Sequence, residues 1–129
     1  MKKELNNLIK ELEYAKKLHD KDAENSKLSQ SQRIYNKKVS QQKSIIIEAL
    51  KGKILATNKH IKILKKWRGG HWKWVEYFAH YYQKPKLNKK KEEELIKDEK
   101  ENGGINWHLR WITNYWWAIY YLEKFKNKE

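Results

Sequence analysis

The chain has 129 residues, of which 36% are charged, a formal net charge of +14 and no cysteine. That length suits one domain, and the lack of cysteine excludes disulfides and thiolate zinc sites. The longest uncharged aromatic run, residues 111–122, is shorter than the roughly 20 residues of a membrane span, and charges interrupt the N-terminal stretch, so neither a spanning helix nor an ordinary secretory signal is expected.

The charge is unevenly distributed along the chain. Residues 25–75 contain thirteen Lys or Arg and a single acid, Glu48, whereas the segments on either side are close to neutral. Surface helices usually interleave both signs, because like charges one turn apart repel each other. A segment that omits the acids is typical of a protein that binds a polyanion.

The N-terminal third is predicted to be helical but weakly packed. Leu8, Leu12 and Ala15 follow helical spacing, but the apolar stripe fades, and residues 19–44 contain few apolar side chains. Such a segment buries too little surface to fold alone, so we expect it to be disordered or ordered by a partner. Residues 1–44 are therefore interpreted as a basic arm, extended or helical.

The rest of the chain, residues 45–129, is predicted to be an up-and-down four-helix bundle, which makes the fold class all-α. Gly pairs at 69–70 and 103–104 and the Lys84-Pro85 step are helix stop signals, and they leave only short connections. The four predicted helices are 45–67, 71–83, 89–101 and 106–125.

Fifteen of the seventeen aromatic residues lie between Trp67 and Phe125. They are spaced at helical intervals, which favours packing in the bundle core over stacking on nucleic-acid bases. The last helix is aromatic nearly all round, so Trp116 and Tyr120 are predicted to belong to an exposed surface that faces another protein or lipid. The two predicted core stripes are Trp72, Val75, Ala79 and Tyr82, and Trp107, Trp111, Ala118, Leu122 and Phe125.

No catalytic or metal-binding motif is recognisable. The five histidines lack the spacing of metal ligands, and the Gly pairs lack the patterns of phosphate-binding loops. We therefore expect a protein that is not an enzyme and that uses no metal or cofactor.

The acid-poor segment carries the predicted binding site, although a solvated polar linker is the alternative. Its Lys and Arg residues alternate with Ser and Gln, whose side chains donate to phosphate and sugar, and no base-reading motif accompanies them. We predict binding to the backbone of double-stranded DNA without sequence specificity. The predicted contacts are Lys27, Gln30, Arg33, Lys37, Lys38, Gln41, Lys43, Lys51, Lys59 and Lys62.

This layout, a basic arm followed by an aromatic four-helix bundle, resembles the major capsid proteins of lipothrixviruses, filamentous double-stranded DNA viruses of archaea. The resemblance covers nearly the whole chain and rests on arrangement, size and charge. It implies a structural coat protein of the virion, present in the host cytoplasm before assembly, whose arm wraps linear DNA in the A-form. Copies of the chain and a related second capsid protein would be its partners in a helical filament, with a lipid envelope outside.

Two other functions are kept as alternatives, although the net charge of +14 argues against the first, since mimicry of nucleic acid usually needs an acidic surface. One is a small nucleic-acid-binding regulator, encoded by a virus or plasmid, that inhibits a host complex. The other is a membrane-surface protein whose Lys faces bind anionic lipid while its rings enter the headgroups. Filament formation with DNA distinguishes the coat protein from both.

Overall fold

The computed structural model describes residues 2–83 and 89–126. Every regular element in these two ranges is an α-helix, so the all-α prediction is confirmed for the part of the chain that is described. The helices are α1 Lys2–Ala23, α2 Gln30–Leu50, α3 Asn58–Gln83, α4 Lys89–Asn102 and α5 Ile105–Lys126. Contacts divide the chain into two compact units, of which the first is Met1–Ile63 with Ala118–Glu129 and the second is Leu64–Trp117.

In the first unit, α1 and α2 pack against each other as a helical hairpin. The start of α2 follows from its sequence, because Ser29 caps the helix and exchanges hydrogen bonds with Gln32 in a capping box. The apolar positions of both helices repeat every three or four residues and are buried together. The buried apolar residues of the hairpin are Leu8, Ile9, Leu12, Ala15, Val39, Ile46, Ile47, Ala49 and Leu50.

The end of this hairpin has no core of its own. No residue from Lys16 to Lys38 is buried. Polar contacts hold the two helices together there: His19 Nδ1 lies 2.8 Å from Asn36 Oδ1, and Arg33 Nε donates to the Ala23 carbonyl at 3.2 Å. Most side chains at this end of the hairpin are therefore exposed to solvent.

The core of the second unit is built from rings on α3 and α5 and from Leu95 on α4. Trp67, His71, Trp74 and Phe78 are spaced so that they share one face of α3. They contact rings of α5, among them the buried Tyr115, which lies 5.6 Å from Trp67 between ring centroids.

The predicted helix over residues 45–67 is wrong. The structure ends α2 at Leu50 and begins α3 at Asn58. Gly52 explains the break, because its φ of +77° is a left-handed conformation that terminates helices and that favours glycine.

The predicted helix end at Gly69-Gly70 is also wrong, because α3 runs through both glycines with no positive φ. The separate helix 71–83 is therefore the second half of α3. Its predicted core stripe is displaced as well: Trp72 is 45% exposed, whereas Phe78 is 1% exposed, and the side chain of Tyr82 lies outside the described residues.

The remaining predicted helices are confirmed to within one residue at each end, as α4 and α5. Gly103 and Gly104 both have positive φ and form the predicted turn between them. The predicted stop at Lys84-Pro85 lies outside the described residues. On α5, the predicted core residues Trp111, Ala118 and Leu122 are buried, and Trp107 and Phe125 are half-buried.

The proposed division into an arm, residues 1–44, and a bundle, residues 45–129, stays a prediction. Two observations bear on it. Helix α2 crosses residue 44 without a break, and Val39 within the supposed arm is 4% exposed. Residues 19–44 are predicted to bury too little surface to fold alone, and in the structure the buried side chains of that segment are Val39, Ser40 and Lys43, near its C-terminal end.

Candidate nucleic-acid interface

The exposed face of α2 collects half of the predicted DNA-binding residues. Gln30, Lys37 and Gln41, together with Ile34, are spaced by three or four residues and lie along one line of the helix, and all four are exposed. The exposed Arg33 and Lys38 lie on opposite edges of that line. We call these six residues, Gln30, Arg33, Ile34, Lys37, Lys38 and Gln41, the α2 outer face.

Every charged residue of the α2 outer face is a cation. No Asp or Glu occurs between Glu24 and Glu48, so no acid lies within the turns that carry these residues. Helix α1, on the other side of the hairpin, mixes acids with lysines and includes the ion pair of Lys16 with Asp20 at 2.8 Å. The positive potential of the hairpin is therefore concentrated on one side of it.

The other exposed cations predicted for the site lie on different elements of the first unit. Lys27 precedes α2, and Lys59 and Lys62 lie in the first turns of α3. Lys51 follows the last residue of α2, and its Nζ lies 3.5 Å from Glu13 Oε2 in an ion pair with α1. The structure brings five of the ten predicted residues onto one helix face and leaves these four elsewhere.

Lys43, the tenth predicted contact, is buried instead. Its exposed fraction is 3%, because α2 places it on the same inner line as Val39, Ile46 and Leu50. Burial lowers the pKa of its ammonium group to about 7. A phosphate reaches this amine only if the hairpin opens, so Lys43 is not part of the interface.

Polar groups surround this part of the hairpin. The Ser40 hydroxyl donates to the Asp20 carboxylate, and hydrogen bonds from Lys16 and from Ser40 lower the pKa of that carboxyl group. Burial lowers the pKa of His19. These contacts join α1 to α2 near the end of the hairpin.

The second unit contains a hydrogen-bonded chain that sequence reasoning missed. Asp98 on α4 accepts from His108 on α5, with 2.7 Å between Oδ2 and Nε2, and Asn102 donates to the other carboxylate oxygen at 2.9 Å. His108 Nδ1 lies 2.8 Å from Nδ1 of His71 on α3. Three helices of this unit are thus connected through one buried imidazole.

The hydrogen bonds of this chain follow from its acceptors. The Asp98 carboxylate accepts from His108 Nε2–H, and of the two Nδ1 atoms one donates and the other accepts, as the tautomers of the two rings decide. Trp74 stacks on His108 with ring centroids 5.3 Å apart and 4° between the planes, which holds the imidazole in place.

Asp98, His108 and His71 are joined by hydrogen bonds and are not grouped around a shared metal position. No group of three or more His, Cys, Asp or Glu side chains suited to a metal ion occurs among the described residues. The sequence carries no signal for these hydrogen bonds, because His71, Asp98 and His108 lie on three different helices and fit no motif.

The predicted assembly surface is exposed where the structure describes it. Trp116 in the second unit is 50% exposed and packs edge-on against Trp117, with 5.0 Å between ring centroids. Tyr120 in the first unit is also exposed, and the Lys124 ammonium lies 5.6 Å from the centre of its ring. That these rings contact neighbouring subunits or a lipid envelope stays a prediction.

Comparisons with known proteins add no further information. No protein family, curated protein or solved structure matches the chain significantly. Of the five described helices, none combines the length and hydropathy that crossing a lipid bilayer requires.

Proposed function

We propose that this chain is a structural protein that coats double-stranded DNA, binding the phosphate backbone without sequence specificity. The observation that carries the proposal is the α2 outer face, an exposed surface of the hairpin whose charged residues are all Lys or Arg. Of the functions considered, backbone binding best accounts for the missing acids.

The physical basis is counterion release. Each Lys or Arg that neutralises a phosphate frees a condensed cation, so affinity depends on charge number and on salt rather than on base sequence. Gln30 and Gln41 add neutral donors that contact phosphate or sugar. A short helix face of this kind supplies few contacts per chain, so many copies along the DNA are needed for stable binding.

The coat function rests on the resemblance to lipothrixvirus capsid proteins. In this proposal the chain polymerises on linear DNA into a helical filament, with copies of itself and a related second capsid protein as partners. The exposed Trp116 and Tyr120 are the proposed contacts to neighbouring subunits or to a lipid envelope. Virion and, before assembly, host cytoplasm are the proposed locations.

The decisive experiment is a salt titration of duplex binding. We expect the logarithm of the association constant to fall linearly with the logarithm of salt concentration, equally for unrelated duplexes. The double variant Lys37→Gln/Lys38→Gln should flatten the slope by roughly 1–2 units. The matched control is Lys97→Gln/Lys100→Gln on α4, which removes the same charge from exposed positions that lie among acids.

Each result has a distinct meaning. An unchanged slope in the Lys37→Gln/Lys38→Gln variant, or an equal change in the control, contradicts the proposed interface. Electron microscopy with linear duplex tests the coat function, since filaments support it and discrete complexes support the regulator. Binding to anionic vesicles that exceeds duplex binding at equal salt supports the membrane-surface alternative.

A further inference from the structure

We propose that the connection between α2 and α3, residues 51–57, docks on anionic lipid headgroups and inserts Ile54 and Leu55 between them. This inference goes beyond the proposed function, because it assigns a second anionic surface, that of a bilayer, to residues of the first unit that lie off the α2 outer face. The exposed rings that the membrane-surface alternative places in the headgroups take no part in it.

Two adjacent aliphatic side chains of the connection are exposed. Leu55 is 64% exposed and Ile54 is 38% exposed, whereas Ile61, one turn into α3, is 4% exposed. The first unit therefore has a core at the start of α3 that leaves these two side chains outside. Single exposed apolar residues are ordinary on a protein surface, so the charges around the pair decide what it indicates.

Lysines flank this aliphatic pair on both sides along the chain. Lys53 immediately precedes the pair, Lys59 and Lys62 lie in the first turns of α3, and all three are exposed. Lys126 at the end of α5 joins them, because its Nζ lies 2.7 Å from Oδ1 of Asn58, the first residue of α3. We call six residues the connection patch: Lys53, Ile54, Leu55, Lys59, Lys62 and Lys126.

Positive charge predominates around the connection patch. No Asp or Glu occurs between Glu48 and Glu76 along the chain. Within the first unit, Glu123 forms an ion pair with Lys126 at 3.3 Å, and both side chains of this pair are partly exposed. Pairs of this kind contribute little free energy, so the Lys126 ammonium can exchange its partner for a phosphate. The chemical complement of the patch is therefore an anionic surface.

Anionic lipid fits both parts of the connection patch. Ammonium groups attract the phosphates of the headgroups, and aliphatic side chains gain free energy when they enter the boundary of the acyl chains. The backbone of DNA offers the lysines the same charge, but its phosphates give Leu55 no apolar partner. A second copy of the chain carries the same net charge of +14 and repels the lysines as it approaches.

Hydrogen bonds fix both ends of the connection. After α2, the N–H groups of Gly52 and Lys53 donate to helix carbonyls at 3.1 Å and 2.9 Å, in the pattern of a Schellman motif. Before α3, Thr57 N–H donates to His60 Nδ1 at 3.2 Å. Because the backbone is already held in the conformation that exposes Leu55, docking costs little additional ordering.

The test is a vesicle titration with a fluorescent label in the connection. The chain has no cysteine, so Leu55→Cys carrying an apolar, environment-sensitive fluorophore reports on this position alone. We expect a blue shift of its emission with vesicles of phosphatidylcholine and phosphatidylglycerol in equal parts. Vesicles of phosphatidylcholine alone and duplex DNA should leave the emission unchanged.

The matched control for the label is Ile34→Cys. Ile34 is 61% exposed and also has lysines beside it, but it lies on the α2 outer face. The same fluorophore at this position should not shift with the phosphatidylglycerol vesicles. Circular dichroism confirms that both labelled proteins, each changed at an exposed position, retain their helices.

Unlabelled variants measure the apolar contribution to vesicle binding. Leu55→Ser should weaken binding to the phosphatidylglycerol vesicles by about 10-fold, the effect of withholding most of one Leu side chain from an apolar environment. Ile34→Ser, the matched control, should bind these vesicles as wild type does. Both variants should bind duplex DNA through the lysines of the α2 outer face.

A second pair of variants measures the contribution of charge. Lys59→Gln/Lys62→Gln should weaken binding to the phosphatidylglycerol vesicles by at least about 10-fold, since each Lys near an anionic surface contributes about 5-fold. Lys97→Gln/Lys100→Gln on α4 removes the same charge elsewhere and should retain nearly the wild-type affinity for vesicles.

The inference is overturned if the label at position 55 does not respond to phosphatidylglycerol vesicles, or if Leu55→Ser binds them as tightly as Ile34→Ser does. An equal blue shift with soluble polyglutamate would assign the patch to an acidic protein, and one with duplex DNA would assign it to nucleic acid. Either result overturns docking on lipid. The proposed function is decided separately, by the salt slope of duplex binding and its change in Lys37→Gln/Lys38→Gln.

Discussion

Lys43 makes the stability of the first unit depend on pH. In the folded chain burial lowers the pKa of its ammonium group from 10.5 to about 7. Between these values the unfolded chain binds a proton that the folded chain does not, so the free energy of unfolding rises with pH. The rise amounts to as much as about 5 kcal/mol between pH 7 and pH 10.5, and this group adds no dependence below pH 7.

Denaturant unfolding followed by circular dichroism at several pH values measures this rise. The variant Lys43→Met keeps the length of the side chain without the charge, so it should be more stable than wild type at pH 7 and lack the rise. His19, with its lowered pKa, adds a dependence in the same direction, with stability lost as the pH falls below about 6.5. If the free energy of unfolding of Lys43→Met rises between pH 7 and pH 10.5 as much as that of wild type, the buried position of Lys43 is contradicted.

Asp98 stabilises the second unit through His108. Asp98→Ala leaves the buried His108 Nε2–H without its acceptor, and we expect a loss of about 1–3 kcal/mol in the free energy of unfolding. Asp98→Asn should cost less, because its amide can donate to His108 Nε2 while His108 Nδ1–H donates to His71. Chemical denaturation gives both values, and nitrogen chemical shifts of the imidazoles report the exchanged tautomer.

The control is Glu93→Ala on an exposed position of the same helix, which should change stability by less than about 0.5 kcal/mol. Equal effects of Asp98→Ala and Glu93→Ala would mean that the chain from Asp98 to His71 does not form.

At the scale of elements, α3 continues through Gly69 and Gly70, so replacing either glycine with alanine should stabilise the helix. Glycine is a poor helix former, and a methyl group added at Gly69 or Gly70 meets no atom within 4 Å. Gly69→Ala and Gly70→Ala should therefore each stabilise the protein by about 0.5–1 kcal/mol. Thermal and denaturant unfolding of the two variants measure the change.

Gly104 is the matched control for these two substitutions. Its φ is +64°, and an added Cβ would lie 3.1–3.3 Å from atoms of Glu99, so Gly104→Ala should destabilise the protein. If Gly69→Ala or Gly70→Ala destabilises the protein as Gly104→Ala does, the helix ends at the glycine pair and α3 is two helices.

The packing of α1 distinguishes a core helix from a detachable arm. Leu12 is fully buried, so Leu12→Ala should lower the free energy of unfolding by about 2–5 kcal/mol. Leu18→Ala, on the exposed side of the same helix, should change it by less than about 0.5 kcal/mol. Unfolding that is insensitive to Leu12→Ala would support the arm, residues 1–44, as a separate segment.

Local signals explain which helices were predictable. The bounds of α4 and α5 follow from Gly103-Gly104 and from the spacing of apolar residues. The break after α2 was missed because a single glycine, Gly52, is a weaker signal than the pair Gly69-Gly70. Tertiary packing decides whether Gly52 or a glycine of the pair Gly69-Gly70 adopts a positive φ and ends a helix. Trp72 was assigned to the core because the second half of α3 has rings on several faces, so more than one register fits.

At the scale of the whole molecule, the distribution of charge was the most informative sequence feature. The acid-poor segment, residues 25–75, contains the α2 outer face. Counting charges found this segment although the predicted helix bounds were partly wrong, because a count does not depend on where a helix begins or ends. It could not show that Lys43 is buried, although the spacing of Val39, Lys43 and Ile46 carried that signal. The chain from Asp98 to His71 was not predictable, because packing of three helices brings it together.

The central claim, that duplex DNA binds the α2 outer face, is tested most directly by lysine footprinting. The protein is methylated at low extent with and without saturating duplex, and the modification of each lysine is quantified by mass spectrometry. We predict that DNA protects Lys37 and Lys38, that Lys97 and Lys100 on α4 react equally in both samples, and that the buried Lys43 reacts poorly throughout. Unprotected Lys37 and Lys38 in the saturated complex would contradict the account.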